Sequence, residues 1–395
     1  MDSQTSELHG KQHSRNLLHG AVFLVILLLP GIGMIFGVDD RLNAENRDLA
    51  KRPEWSWNAE IIRSFPGRFE GYFDDHFGFR SWLIRTAKQV EWVYDRTQAG
   101  IAIGRDDWLY QGKESDLANS HCVQLRDEEL RSWQELGRSR QDWLERSGIA
   151  FIWSLAPNKH TLYPEYFPET AARPRNPVCG GDLLSRQLGP EVGVDFIDLR
   201  PVLLEAKATH RVYHRTDTHW NQLGAFFGAR AILKRVSARF PQVSEPSLES
   251  FEVRRVVDEY GGNLSSLLSI YGLRFPEERY ALAPRDGFVA RPTEGTPPID
   301  PSWDGHRKKR LVMETGRSEL PTAVMVHDSF GYALMPIIAE HFERIVFLHS
   351  SGSLDFSAID AESPDLVIAL FVEEKLRHPP PRDLHRVLLT TSTGR

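Results

Sequence analysis

The stretch TAVMVHDSFG, residues 322–331, carries the pattern that decides the fold class. An unbroken run of mostly apolar residues is typical of a strand buried on both faces of a sheet. A turn containing His327, Asp328 and Ser329 follows, and we predict a helix over residues 331–342. Such a strand–turn–helix unit exposes the serine oxygen at the end of the sheet, close to backbone N–H groups that can bind an oxyanion. The stretch lacks the Gly-x-Ser-x-Gly pattern, and the alternative role of Ser329 is to cap the helix.

Similar apolar runs alternate with helical patterns along the chain beyond residue 126. Strands are predicted over residues 149–155, 194–197, 322–327, 344–348 and 366–372. Helices are predicted over residues 127–146, 201–206, 221–240 and 331–342, the first of them capped by Asp127. Continuous apolar strands that alternate with helices are typical of an α/β fold. We therefore expect a mainly parallel sheet flanked by helices.

The overall composition excludes some classes of protein. The 395 residues are 41% hydrophobic and carry a formal net charge of −6. This apolar fraction suffices for a buried core, whereas binding to nucleic-acid phosphates needs a clustered excess of Lys and Arg. We expect no nucleic-acid partner.

The N-terminal region contains one long apolar segment, LLHGAVFLVILLLPGIGMIFGV at residues 17–38. As a helix it can cross the roughly 30 Å hydrocarbon core of a bilayer. Lys11 and Arg15 precede the segment, whereas Asp39 and Asp40 follow it. The positive-inside rule therefore places residues 1–16 in the cytoplasm. A cleaved signal peptide and a buried core helix are the alternatives.

The remainder of the chain divides into two parts. Residues 39–100 are predicted to form a linker and an N-terminal helical segment, with a helix from residue 81 to about 94. Residues 101–395 are predicted to form one catalytic domain. Residues 283–316 are rich in Pro, Gly and charge, and are expected to form a long loop.

A second polar motif, Asp217-Thr218-His219-Trp220-Asn221, directly precedes the helix predicted over residues 221–240. An Asp two positions before a His can place its carboxylate against the imidazole, which orients the ring and stabilises its charged form. Asn221 is a natural helix N-cap. Because neighbouring side chains at a tight turn diverge, Asp217 and His219 are better partners for Ser329 than His327 and Asp328. Taken alone, the motif can also be an ordinary polar loop.

The two cysteines and the histidines leave further alternatives. Cys122 and Cys179 could form a disulfide in an oxidising compartment or remain separate thiols. A metal site built from His210, His214, Asp217 and His219 is disfavoured, since arginines interrupt the histidine spacing. We expect no metal and no cofactor.

The motifs together resemble a known family. The run from Asp217 to Ala225, followed by His327-Asp328-Ser329-Phe330-Gly331, is similar to the SGNH-hydrolase-like alginate O-acetyltransferases, the AlgJ/AlgX family. Further matches are Glu45-Asn46-Arg47-x-Leu49-Ala50, Gly104-x-Asp106-x-Trp108-Leu109-Tyr110 and Pro157-x-Lys159. Because few residues follow the last predicted strand, we expect no C-terminal carbohydrate-binding domain and a closer likeness to the AlgJ type.

The resemblance implies a role for each matching residue. Asp217 would be the orienting acid, His219 the general base and Ser329 the nucleophile. Gly262, Asn263, Trp220 and Lys159 would bind substrate. A solvated Lys159 side chain and a packed Trp220 indole are the alternatives. Asn263 could also donate to the oxyanion or simply be a turn residue, and backbone N–H groups of Ser329 and of the loop at residues 261–262 are further oxyanion candidates.

The resemblance also implies an activity and a location. It implies a periplasm-facing O-acetyltransferase that moves an acetyl group, through an acetyl-serine intermediate, onto an exopolysaccharide such as alginate. The acetyl donor would be delivered by a multi-span membrane acyltransferase, and the N-terminal helix would anchor the protein in the bacterial inner membrane. Alternatives are a carbohydrate acetylesterase of the same fold and a catalytically silent scaffold of a polysaccharide secretion complex.

Overall fold

The computed structural model describes residues 2–38, 49–94, 99–113, 115, 117, 121–171, 179–188, 193–269, 272–293 and 310–384, with side chains from residue 16 onward. The chain forms two compact units. One comprises Met1–Ala99 with Ser266–Arg274, and the other comprises Gly100–Ser265 with Phe275–Arg395. Residues 45–47 of the resemblance motif lie outside the described residues.

Three helices make up most of the first unit. They are α1 (Asp2–Ile35), α2 (Ala59–His76) and α3 (Arg80–Tyr94). Within α1, Asn16–Ile35 has a mean hydropathy of 2.3 and is long and apolar enough to cross a membrane. A signal sequence passes the same test of length and composition. The helix by itself therefore does not distinguish a membrane anchor from a signal sequence.

The second unit contains the remaining helices and the strands. Its helices are α4 (Asp127–Arg146), α5 (Lys159–Leu162), α6 (Gly180–Gln187), α7 (Arg200–Lys207), α8 (Gln222–Ser237), the start of α9 (Asn263–Ser269), α10 (Met335–Ala339) and α11 (Phe356–Glu362). Its strands are β1 (Ile101–Ile103), β2 (Leu109–Gln111), β3 (Ala150–Ala156), β4 (Phe196–Asp198), β5 (Phe251–Asp258), β6 (Glu277–Pro284), β7 (Arg291–Pro292), β8 (Arg310–Glu314), β9 (Thr322–His327), β10 (Arg344–His349) and β11 (Leu366–Val372).

A seven-stranded sheet is the centre of the second unit. Its order is β4-β3-β11-β9-β10-β8-β7. The first five strands pair in parallel, and β8 and β7 are antiparallel additions at one edge. The predicted α/β fold is confirmed, and the sheet is mixed. The pairs β1-β2 and β5-β6 form separate two-stranded ribbons.

Alternating side chains along the central strands bury two separate cores. One face of the sheet contributes Met325, Ile345 and Ile368, which belong to the same core as Phe226 of α8. The other face contributes Val324, Val346 and Val367, in the same core as Leu144 of α4. Because helices cover both faces, the central strands can be apolar at nearly every position, as their sequences predict.

Two predictions of local structure were wrong. Residues 283–316 are not one long loop, because they include β7 and β8. The pairing of β8 with β10, which no local pattern reveals, makes it a strand. The helix predicted over residues 331–342 is divided into a 3-10 helix, Ser329–Ala333, and α10. Pro336 lies in the first turn of α10, where its missing N–H is tolerated, so a new helix begins there.

The disulfide alternative is the one that the structure shows. Cys122 and Cys179 are bonded, with their Cα atoms 4.8 Å apart. The bond closes a loop between residues 57 positions apart, and Cys179 directly precedes α6. A cross-link of this length removes many conformations from the unfolded chain.

Replacing both cysteines by serine tests this contribution. We expect the free energy of unfolding of the Cys122→Ser/Cys179→Ser variant to be about 2–4 kcal/mol lower than that of the oxidised wild type, since its unfolded state is less restricted. Guanidinium unfolding of the full chain in detergent measures the difference. As a control, a reductant should destabilise the wild type and leave the variant unchanged. Equal unfolding free energies under oxidising conditions would contradict the prediction.

Candidate active site

Ser329 lies where β9 ends, and its side chain is exposed at that edge of the sheet. Asp328 caps the 3-10 helix that begins there. Its Oδ1 accepts the Phe330 N–H at 3.0 Å, and its Oδ2 accepts the Val372 N–H of the neighbouring strand at 2.8 Å. Ser329 is therefore not the capping residue, and its hydroxyl is available for another partner.

That partner is His219. The Ser329 hydroxyl donates to Nε2 of His219, with an Oγ–Nε2 distance of 2.9 Å. On the other side of the ring, Nδ1 donates to Oδ1 of Asp217 at 2.7 Å. An ionised carboxylate only accepts hydrogen bonds, so it fixes the proton on Nδ1 and leaves the lone pair of Nε2 directed at the serine. The structure brings together the three residues that the sequence predicts, and this geometry allows His219 to remove the serine proton.

The carboxylate of Asp217 is held by backbone donors from two directions. The His219 N–H donates to Oδ1 at 3.0 Å, and the Asn263 N–H donates to Oδ2 at 2.8 Å. Gly262 makes this approach sterically feasible, because a Cβ there would lie 2.4 Å from the Cβ of Asp217. The Gly262 N–H donates to Oγ1 of Thr216 at 2.9 Å. The loop at residues 261–263 is thus fitted against the segment that carries Asp217.

The prediction that Lys159 binds substrate was wrong. Its side chain is 2% exposed, and its Nζ donates to the carbonyls of Leu109 at 2.6 Å, Arg215 at 2.5 Å and Asp217 at 2.9 Å. Burial lowers the pKa of Lys159 to about 7, against the attraction of Asp217 and Glu277. Three carbonyls match the three donors of an ammonium group. Lys159 therefore supports the main chain of the Asp217 segment from beneath.

Trp220 is also a supporting residue, and the packed indole is the alternative that the structure shows. The indole is 1% exposed, and its Nε1 donates to the carbonyl of Phe330 at 3.0 Å. This bond ties the segment that follows His219 to the residue that follows Ser329. The indole packs in the core, and its N–H has a hydrogen-bond partner there, as a buried tryptophan requires.

The predicted oxyanion donors have different outcomes. The N–H groups of Gly261 and Gly262 already donate, to the carbonyl of Asp258 and to Thr216 Oγ1, so the expectation for them was wrong. Asn263 is exposed, and its side-chain amide makes two hydrogen bonds to Thr218. Its Oδ1 accepts from the Thr218 N–H, and its Nδ2 donates to Oγ1 of Thr218. Its contact with an oxyanion stays a prediction. The Ser329 N–H, at the start of a helix, belongs to the donors that a helix leaves without an internal partner.

Asp217 and His219 each stabilise the charged form of the other. Burial opposes charge on Asp217, but the adjacent His219 and the hydrogen bond between them hold the pKa of Asp217 below its ordinary value. Burial likewise opposes charge on His219, and the Asp217 carboxylate nevertheless raises the pKa of His219 above its ordinary value. The ring is thus a stronger base than a free imidazole, as a proton acceptor beside a hydroxyl requires.

The residues next to Ser329 behave differently from this pair. Burial raises the pKa of Asp328, although two backbone N–H groups stabilise its charged form. Burial lowers the pKa of His327 to about 4, so this ring is neutral near pH 7. Gly331 is required beside it, because a Cβ there would lie 2.3 Å from the His327 ring. His327 is thus packed against the turn and does not point at the serine hydroxyl.

Sequence reasoning missed one buried acid that supports the site. Glu277 on β6 is 1% exposed, and its Oε2 accepts from both the N–H and the hydroxyl of Thr216, at 2.7 and 2.8 Å. Burial opposes its charge, yet His214, Thr216 and Arg211 lower the pKa of Glu277 to about 2. Since Thr216 lies 61 positions away along the chain, no local pattern marks Glu277.

Among the described residues, no group of three His, Cys, Asp or Glu side chains could hold a metal ion. In the histidine set considered for metal binding, His210 stacks on Phe227 at 5.7 Å between ring centroids. The Asp217 carboxylate is already occupied by His219 and Asn263. The geometry at Asp217 is that of a residue orienting an imidazole.

Known proteins resemble a large part of this chain. Residues 101–285 match the family described as an SGNH hydrolase-like domain, acetyltransferase AlgX. A "Probable alginate O-acetylase AlgJ" of Pseudomonas syringae pathovar tomato is 27% identical over 267 residues, 65% of this chain and 61% of that relative. A protein of the same name from Pseudomonas aeruginosa is 28% identical over 321 residues, 80% of this chain and 76% of the relative. The match thus spans less than two thirds of the first of these relatives. Asp217 and His219 lie within the family match, and Ser329 lies beyond it.

Solved structures support the fold. PatB1 of Bacillus cereus, determined with a sulfonyl adduct, superposes with a TM-score of 0.51 at 15% identity over 69% of this chain and 93% of that one. A DHHW family protein of Eubacterium siraeum superposes with a TM-score of 0.50 at 18% identity over 71% of this chain and 93% of that one. At these identities the likeness concerns the fold alone.

Replacing Gly262 by alanine tests the packing beneath Asp217. Because the added methyl group would lie 2.4 Å from the Asp217 Cβ, we expect the carboxylate to move and unfolding to cost about 1–3 kcal/mol less. Thermal unfolding measures the change. Gly71→Ala is the matched control, since a Cβ there meets nothing within 4 Å. Equal unfolding temperatures for Gly262→Ala and Gly71→Ala would refute the packing argument.

Removing the charge of Asp217 tests the electrostatic coupling. In Asp217→Asn, burial continues to lower the pKa of His219 while the attraction that raises it is lost. We expect this pKa to fall. NMR titration of the imidazole signals measures it, with His219→Gln identifying the signal. The titration of His341 should not change, and an unaltered pKa of His219 would show that Asp217 does not set it.

Proposed function

We propose that this chain, which carries an SGNH hydrolase-like domain of the AlgJ/AlgX type, is an O-acetyltransferase that acts on a polysaccharide. One observation carries the proposal: Asp217, His219 and Ser329 form a continuous hydrogen-bonded chain that ends on an exposed hydroxyl. This order of acid, imidazole and hydroxyl is the arrangement that activates serine for acyl transfer. The names of the relatives support the choice of acetyl as the group transferred.

In the first half of the reaction His219 removes the hydroxyl proton as Ser329 Oγ attacks the carbonyl carbon of an acetyl donor. The new C–O bond places a negative charge on the carbonyl oxygen, and the Ser329 N–H would donate to it. The intermediate collapses when the bond to the leaving group breaks and Nε2 of His219 returns the proton to that group. The product is acetyl-serine, and Asp217 stabilises the charged ring throughout.

In the second half a polysaccharide hydroxyl replaces the donor. His219 removes its proton, the hydroxyl oxygen attacks the acetyl carbonyl, and the returning proton restores the Ser329 hydroxyl. The base form of His219 is needed in both halves. Because Asp217 raises the pKa of His219, transfer should become faster as the pH rises through that raised pKa.

The names of the relatives suggest the acceptor. Those names specify alginate, so we take alginate or a similar exopolysaccharide as the acceptor. We further propose that a multi-span membrane acyltransferase supplies the acetyl groups. Asn16–Ile35 would anchor the protein in the inner membrane, with the catalytic domain in the periplasm. The disulfide supports this side of the membrane, since disulfides persist in oxidising compartments.

The exposure of Ser329 supports a second candidate function, a carbohydrate acetylesterase. Water that reaches the acetyl-serine carbonyl would be activated by His219 in the same way as an acceptor hydroxyl. The outcome depends on how well a bound acceptor excludes water. The two functions share the triad and differ in the second step alone.

Replacing Ser329 by alanine tests the proposed nucleophile. We expect release of acetate from a small acetyl ester to fall by about 10³-fold or more, because no oxygen remains to accept the acetyl group. Wild type, but not the variant, should gain the mass of one acetyl group when mixed with the ester. Ser351→Ala is the matched control, as this exposed serine follows β10 at the same edge of the sheet.

A Ser329→Ala protein as active as wild type would overturn the assignment. Adding alginate oligosaccharides to the same assay separates the two functions. Acetylated oligosaccharide, detected by mass spectrometry, is the product expected of the transferase. Free acetate alone, at a rate unaffected by the oligosaccharide, is the product expected of the esterase.

A further inference from the structure

We propose that α2 and α3 lie on the surface of a phospholipid bilayer, with their apolar faces in the boundary between headgroups and acyl chains. This inference rests on the membrane anchoring by α1 proposed above. It concerns residues 55–94, which the catalytic mechanism does not use.

The first observation is the division of α2 into two faces. At 100° per residue, one arc of the helix carries its large apolar side chains: Ile61, Ile62, Phe65, Phe69, Tyr72 and Phe73. The remaining arc carries polar or small residues, among them Glu60, Arg63, Arg68, Glu70 and Asp74. No residue of α2 is buried in the described part of the chain. A helix with so distinct an apolar face requires a surface that covers it.

The apolar face of α2 is a row of aromatic rings. Trp55 contacts Phe65 at 4.8 Å between centroids, Phe65 stacks on Phe69 at 5.9 Å, and Phe69 stacks on Phe73 at 6.5 Å. Phe73 in turn stacks on Phe77 at 6.0 Å. Phe69 is 43% and Trp57 85% exposed. Aromatic side chains concentrate at membrane–water boundaries, because their rings fit the region between water and hydrocarbon.

The exposed apolar side chains of α3 also lie on one side of the helix. They are Trp82, Leu83, Val90, Val93 and Tyr94, and at 100° per residue all five fall within one arc. The opposite arc carries the ion pair of Lys88 and Glu91, at 2.6 Å, together with the half-buried Ile84 and Trp92. Both helices therefore expose large apolar side chains along one arc, as helices that lie along a membrane do.

The occupant follows from the position of these helices relative to α1. The turn between α2 and α3 is bonded to the end of the apolar helix, since Gly78 N–H donates to the Pro30 carbonyl at 2.8 Å and Phe79 N–H donates to the Val38 carbonyl at 3.1 Å. Gly33 and Gly78 touch so closely that a Cβ on Gly78 would lie 2.4 Å from the Gly33 Cα. Pro30 lies about 8 Å along the helix from Ile35, at 1.5 Å per residue. The turn is therefore at the depth of the headgroup boundary when α1 spans the bilayer.

The polar arc of α2 carries charges of both signs. Arg63 and Arg68 lie among Glu60, Glu70, Asp74 and Asp75, so the helix is not a basic one. Such an arc suits hydrated headgroups and does not depend on a strongly anionic partner. Continuity with α1 then places the apolar arcs beside the acyl chains, which already surround that helix.

The test uses the full chain reconstituted in vesicles of phosphatidylethanolamine and phosphatidylglycerol, with single nitroxide labels on introduced cysteines. Because Cys122 and Cys179 are bonded to each other, they do not take the label. Phe69→Cys and Val93→Cys report on the apolar arcs, and Glu70→Cys and Glu91→Cys are their controls on the opposite arcs. Leu27→Cys reports on α1. Spin relaxation measures collisions with oxygen, which concentrates in lipid, and with a nickel complex, which stays in water.

We expect the ratio of oxygen to nickel collisions to be several-fold higher at residues 69 and 93 than at residues 70 and 91. If residue 27 shows a high ratio while residues 69 and 93 match their controls, the inference is overturned and the anchor stands. If residue 27 collides freely with the nickel complex, α1 is in water and not in lipid. The anchor then fails, and the inference fails with it. Low collision rates with both reagents at residues 69 and 93 would mean that protein covers the arcs, which also overturns the inference.

Discussion

The carboxylate of Asp217 is the point on which the rest of the site depends. Its two oxygens accept three hydrogen bonds, from the ring and the backbone of His219 and from the backbone of Asn263. The backbone carbonyl of Asp217 accepts a hydrogen bond from the ammonium group of Lys159. A carboxylate held in this way can keep its charge although it is partly removed from water. That charge fixes the proton on Nδ1 of His219 and directs Nε2 at Ser329.

The end of the sheet positions Ser329, the other half of the site, through a small number of contacts. Ser329 follows β9, and Asp328 reaches across to the end of β11 through the Val372 N–H. Trp220 then connects the two halves by donating to the Phe330 carbonyl. The nucleophile and its base therefore rest on a core that is buried on both faces of the sheet. Small movements of loops elsewhere should not change the distance between Ser329 and His219.

Local patterns were sufficient to predict a strand or a helix where its side chains meet the same surroundings at regular intervals. The apolar runs identified β9 and β11 at their observed bounds, and the helix over 127–146 was predicted in full. They failed where a distant partner decides the structure. β8 is a strand because β10 pairs with it. A local prediction also failed: Asp127 is the first residue of α4, and Arg126 holds the N-cap position, its N–H donating to Oε2 of Glu129. Lys159 and Trp220 were assigned to a substrate surface because no local pattern shows whether a side chain is buried.

By itself the sequence determined the α/β class, the apolar N-terminal helix and the three residue types of the candidate site. These follow from periodicity, length and short motifs, all of which are local. Only the tertiary structure decided that Asp217, His219 and Ser329 meet, that Cys122 and Cys179 bond, and that Lys159 lies beneath the site. His219 and Ser329 are 110 positions apart, and their distance of 2.9 Å results from the packing of α8 and β9 around one core. Such a contact depends on the sum of many distant interactions, which no short stretch of sequence contains.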